Sequence, residues 1–164
     1  MNKTLAAATA AITLAAAGLA AATLLSPNAT RAAGDKASIE RGRYLAKVAG
    51  CNDCHTPNYP MTGGAVPEKD WLVGDVVGWK GGWGTTYPAN LRVLLNGMSE
   101  DQWVAFARKL QSRPPMPWFA LRDMTEEDLR AFHRFVRSLG AAGQPAPAYV
   151  PPGQAPQGPV VSFP

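Results

Sequence analysis

Cysteine and histidine are scarce in this 164-residue chain: it has two of each. No second Cys or His pair stands at a spacing that would complete a four-ligand structural zinc site, since His133 is the only histidine outside one short cluster. Charge is also sparse in places. Thr4 to Leu25 and Ala141 to Pro164 carry none, and the basic residues elsewhere are interspersed with Asp and Glu. An interspersed pattern gives no electrostatic footprint for nucleic acid or an anionic membrane, despite a net charge of +4. No internal repeat is visible. Strand signals are poor: Val73 to Val77 alternates badly and is broken by Gly74.

What is present is concentrated. Cys51-Asn52-Asp53-Cys54-His55 uses both cysteines and one of the histidines within five positions. Cys-x-x-Cys-His is the attachment signal of c-type haem, with both thiols bonded to the porphyrin and the imidazole held beneath the iron. A thiol-disulfide oxidoreductase would set its Cys-x-x-Cys at a helix start within a βαβ pattern, which the flanks lack. A plain disulfide accounts for neither the short spacing nor His55. The sequence therefore predicts one covalent haem c on Cys51 and Cys54, with His55 as an axial iron ligand.

Export fits that chemistry. A positive start at Lys3, the uncharged Ala- and Leu-rich run and small residues at Thr30 and Ala32 read as a signal peptide over residues 1–32. The run approaches bilayer-spanning length, so an uncleaved anchor is the alternative, and membrane association is expected only in that case. Both readings place the domain in the periplasm. Cleavage would remove Lys3 and Arg31, leaving a formal charge of +2. Residues 35–140 then form one small domain, followed by a proline-rich tail over 141–164.

Within the domain, Ser38 reads as the cap of a helix from Ile39 to near Gly50. Ser99-Glu100-Asp101-Gln102 and Thr125-Glu126-Glu127-Asp128 resemble capping boxes that open two further amphipathic helices. A shorter helix around Asn90 to Asn96, ended by Gly97, is a fourth candidate. Thr56 to Gly84 reads as a long loop rich in glycine that carries Trp71, Trp79 and Trp83. The tail has seven prolines, so it is expected to be extended. Its Tyr149, Val150, Val160, Val161 and Phe163 favour a strap lying on the domain over a free linker.

The sixth iron ligand is sought among five methionines. Met1 lies in the signal segment. Met98 and Met124 occupy the N′ positions of helices, where each would pack as half of a hydrophobic staple. Met61 follows His55 by six residues, a short path around a haem. Met116 sits in Arg113-Pro114-Pro115-Met116-Pro117-Trp118, where prolines exclude helix and stiffen the loop. Met116 is the expected second axial ligand, and His133 the first substitute if it is not.

The helix with Gly42 and Tyr44, the Cys51–His55 motif, Met116-Pro117-Trp118 and the helix with Leu129 and Phe135-Val136 together resemble class I cytochromes c. Gly84-Thr85-Thr86-Tyr87-Pro88-Ala89-Asn90-Leu91 and Pro115-Met116-Pro117-Trp118 look like single modules of cytochrome subunits of periplasmic alcohol and gluconate dehydrogenases. The resemblance covers roughly residues 38–140 and implies an all-α fold, three to four helices around one haem with long loops and an extended tail. It implies that the first and last helices cross with Gly42 against Phe135. It also implies a one-electron carrier, not an enzyme, that takes electrons from a periplasmic dehydrogenase and passes them to a cytochrome or oxidase. A non-catalytic subunit of a dehydrogenase complex, with the tail as its docking strap, is the alternative. A haem enzyme or ligand sensor is less favoured. Trp79 or Trp83 could donate a hydrogen bond to a haem carboxylate.

Overall fold

The computed structural model describes residues 27–164. The expected signal core over Thr4 to Leu25 lies outside the described residues; no helix among them is long and apolar enough to cross a membrane. The described chain folds into α1 (Pro27–Val48), α2 (Cys51–His55), β1 (Gly78–Gly81), β2 (Gly84–Thr86), α3 (Leu91–Asn96), α4 (Glu100–Lys109), α5 (Trp118–Asp123), α6 (Glu126–Leu139) and β3 (Val160–Ser162).

The architecture corrects the all-α expectation. About half of the described residues are helical, but a three-stranded sheet of order β2-β1-β3 accompanies the helices. β1 and β2 form a tight antiparallel hairpin, Gly81 opposite Gly84, and β3 joins β1 in parallel from the far end of the chain. Strands of three or four residues are too short to show alternation, and the parallel partner of β1 lies in the tail, so no local pattern announces the full sheet. Six helices replace the expected three or four because α2 and α5 are single turns hidden among the Cys motif and the prolines.

α1 also corrects a boundary. Ser38 is not its cap: the helix begins at Pro27, a residue favoured in the first turn, and runs on through an Ala-rich stretch. Ser38 instead accepts a hydrogen bond from Arg134 at 3.0 Å. The burying part of α1 starts where the sequence placed it, with Leu45 and Ala46 inside. Gly50, at φ 71°, ends it and turns the chain directly into α2.

The core is set by α1 crossing α6. A Cβ on Gly42 would lie 2.6 Å from Phe135 Cβ and closer still to the Ala131 carbonyl oxygen, so only glycine admits this approach. α6 fills the crossing with Leu129, Phe132, Phe135 and Val136, all buried. Trp103 of α4 packs against Phe132 and donates its indole N–H to the Leu129 carbonyl at 2.9 Å. The Ser99/Gln102 capping box forms as the sequence predicts. The second box is half-formed: Thr125 accepts from the Asp128 amide, while the Asp128 carboxylate turns to Arg41 of α1 at 2.8 Å. Buried Arg92, unforeseen from sequence, donates to the carbonyls of Lys69, Leu139 and Gly140, closing the C-terminal end of α6.

The tail folds back on the domain. Thr85 and Val150 exchange both backbone hydrogen bonds, at 2.8 and 3.0 Å, and the Phe163 amide donates to Lys80 at 2.8 Å. Asn90 donates its side-chain amide to the carbonyls of Ala142 and Gln144. Residues 141–164 thus complete the sheet rather than trailing from it.

Three outcomes test this packing. Gly42→Ala should lower unfolding free energy by about 1–3 kcal/mol or more in denaturant titration, the usual cost of overpacking a core. Truncation after Gly143 should lower the thermal midpoint and expose apolar surface. The third concerns pH. Arg134 beside Glu100 and Arg41 beside Asp128 hold both carboxyls below their ordinary values. Depressed carboxyls contribute stability above the unfolded pKa, roughly 4, that is lost as pH falls through their folded values. The Arg134–Glu100 pair is partly exposed and so is worth about 0.2–1 kcal/mol. The stability gap between the native chain and Arg134→Gln should therefore close on acidification below about pH 4.

Candidate functional site

Both cysteines of the motif and its histidine line one apolar cleft of about 270 Å³. Its walls come from distant segments: Cys51, Cys54 and His55 from α2, Leu91 and Leu94 from α3, Trp103 and Phe106 from α4, Phe132 from α6, and Met116 and Leu121 from the loop before α5 and α5 itself. The sequence motif and the expected thioether therefore meet at one site. Both thiols are free of a disulfide.

His55 is held in one orientation. Its Nδ1 lies 2.7 Å from the Ala89 carbonyl oxygen, an acceptor only, so Nδ1 carries the proton and Nε2 keeps its lone pair. That arrangement is the one by which histidine ligands are fixed and made more basic toward a metal. Burial pushes the His55 pKa down, opposed by the Ala89 carbonyl, so the ring is neutral.

Local folding explains the placement. Asn52 is fully buried and accepts from Thr56 Oγ1 at 2.8 Å, while that hydroxyl accepts from the Leu72 amide at 2.8 Å. The His55 carbonyl accepts from the Gly74 amide at 2.9 Å. Gly74, at φ 78°, lets the 72–75 segment press on residues 88–90; a Cβ there would lie 2.8 Å from both Asn90 N and Pro88 O. Asn90 caps α3 through the Val93 amide and so fixes the carbonyl just before it. The loop from Thr56 to Gly84, structureless by pattern, has the task of presenting Ala89 to His55.

Neither thiol has the depressed pKa of a redox-active cysteine. Burial pushes Cys51 up to about 12 and also raises Cys54. Reactive cysteines have lowered values, so the geometry disfavours the oxidoreductase alternative. Among the described residues no three His, Cys, Asp or Glu side chains cluster as a protein-only ion site.

The methionines separate by position. Met61 is 86% exposed and is not among the residues that line the cleft. Met98 accepts through its carbonyl from His133 Nε2 at 2.9 Å; His133 is buried and is not a cleft residue. Met116 lines the cleft as expected, in a loop pinned where Thr86 donates to the Pro114 carbonyl at 3.0 Å and the Trp118 amide to that of Met116 at 2.9 Å. Met124 lines it too, though it also packs against the core. Sequence reasoning missed this second thioether because its N′ position already explained it. Of the tryptophans, Trp83 spends its indole N–H on the Trp79 carbonyl at 3.3 Å, and Trp79 borders the cleft.

No family model, curated protein or solved structure matches the chain.

Gly74→Ala tests the scaffold: the left-handed conformation and the contacts at 2.8 Å should together cost about 1–3 kcal/mol in denaturant unfolding.

Proposed function

We propose that the protein is a one-electron carrier whose cleft would hold a single covalent haem c, with Cys51 and Cys54 to bond it and His55 and Met116 to ligate its iron. The observation that carries this reading is His55, its Nδ1 2.7 Å from the Ala89 carbonyl oxygen, in the same apolar cleft as two free thiols and the Met116 thioether. The donor set fits the group: thiols for covalent bonds, an oriented imidazole and a soft thioether for iron, and apolar walls for the porphyrin face. When bound, haem supplies the ferric–ferrous couple. The protein's own residues then act by position. Ala89 fixes the His55 ring, the Pro-flanked loop places Met116 in the cleft wall, and Trp103, Phe106 and Phe132 make that wall apolar. With both His55 and Met116 given to it, the group would serve electron transfer rather than oxygen chemistry.

A class I cytochrome c fold agrees with the close crossing at Gly42 and Phe135 and with the order of the helices. The proposed setting is the periplasm, with a dehydrogenase as donor and a cytochrome or oxidase as acceptor. The subunit alternative loses its docking strap, because the tail's backbone is already paired to β1 and β2.

Ligation is tested by spectroscopy of the oxidised protein. A weak long-wavelength charge-transfer band marks iron–thioether bonding; Met116→Ala should abolish it, lower the potential and admit small ligands, while Met61→Ala and Met124→Ala leave it in place. Loss of the band in Met124→Ala alone would move the assignment to Met124.

A further inference from the structure

We propose that the C-terminal tail is part of the cofactor site, its Tyr149 holding Arg113 at the cleft as the cation that receives the carboxylates of the bound group. The inference rests on the haem reading and specifies which edge of the cleft takes the acidic substituents.

Arg113 is the one Lys or Arg among the residues lining the cleft, and no Asp or Glu lines it. Among the described residues it makes no ion pair and donates no hydrogen bond, unlike Arg41, Arg92, Arg130 and Arg134. An apolar cleft with a single uncommitted guanidinium suits a flat apolar ligand that is anionic at one edge. Arg113 does have one side-chain partner: its guanidinium carbon sits 3.7 Å from the centre of the Tyr149 ring.

Tyr149 is itself anchored. Its hydroxyl donates to the Trp83 carbonyl at 2.8 Å, and the next residue, Val150, is paired with Thr85. Gly84, at φ 95°, makes the seat, since a Cβ there would lie 2.9 Å from the Tyr149 hydroxyl oxygen. The tail touches the same edge of the cleft a second time through Phe163, stacked on Trp79 at 5.8 Å between ring centres. The Trp79 indole N–H donates to no protein acceptor among the described residues, whereas that of Trp83 is taken. Trp79 is thus the second donor available at that edge. These contacts explain why an uncharged tail keeps Tyr149 and Phe163: each fixes one polar residue of the cleft.

The test is the pH dependence of the reduction potential of the haem-loaded, full-length protein. A cation beside a carboxylate lowers its pKa, so Arg113→Gln should move the acid-side inflection of the potential to higher pH by about one unit. It should also lower the potential at neutral pH, because lost positive charge favours ferric iron. Arg113→Lys should retain most of the native profile. Tyr149→Ala should shift the inflection in the direction of Arg113→Gln, and Tyr149→Phe, which keeps the ring, should not. Lys36→Gln, an exposed change on α1, is the charge control and should leave the profile unmoved. An Arg113→Gln profile matching Lys36→Gln overturns the proposal, and so does a Tyr149→Ala profile matching Tyr149→Phe. If Tyr149→Ala yields no folded protein, the Arg113 pair still decides. Native protein without covalent haem would defeat the functional reading itself; haem-loaded Arg113→Gln with an unmoved inflection defeats only this inference.

Discussion

The crossing of α1 over α6 at Gly42 is the contact on which the site depends. Because a Cβ has no room against Ala131 and Phe135, the helices meet backbone to side chain, and the register of that meeting fixes where α1 ends. Gly50 then turns the chain straight into Cys51–His55. A shift of α1 along α6 would carry both thiols and the imidazole with it. A glycine inside a helix costs about 1 kcal/mol against Ala, and the close approach offsets that cost.

From this crossing the remaining walls follow as supports for one imidazole and one apolar cleft. The glycine-rich stretch between Thr56 and Gly84 is held by Thr56, Gly74 and the 88–90 segment, and its product is the Ala89 carbonyl at Nδ1 of His55. Trp103, Phe106 and Phe132 give the cleft much of its apolar lining, although the same residues belong to or border the core. In so small a domain, a cleft through the core removes apolar contacts the fold needs. A flat apolar group filling it would restore them, so on the proposed reading cofactor and core are the same packing problem.

Much of this was legible before any coordinates. The Cys51–His55 spacing, the Ser99/Gln102 box, the apolar face of α6 and the stiff loop at Met116 are local or motif-borne signals, while the Gly42–Phe135 contact came only from the resemblance to class I cytochromes c. The sheet was not legible, because β1 is Gly-Trp-Lys-Gly and its parallel partner lies in the tail. The start of α1 was misplaced because Ser38 looks like a cap, while the Ala-rich residues ahead of it carry the helix on. Ala89 acts through its backbone, which no side-chain pattern marks. Met124 reaches the cleft by long-range packing, and Arg113 comes with the Met116 loop, though nothing in the sequence marks its role.

The central claim is that Cys51 and Cys54 are the covalent seats of one haem, and intact-mass measurement of the denatured holoprotein after acid-acetone extraction tests it most directly. The account predicts a polypeptide heavier by one haem, with the added mass confined to the peptide containing Cys51 to His55. A polypeptide of unmodified mass, with haem recovered free in the organic phase or with the two cysteines joined as a disulfide, would contradict it.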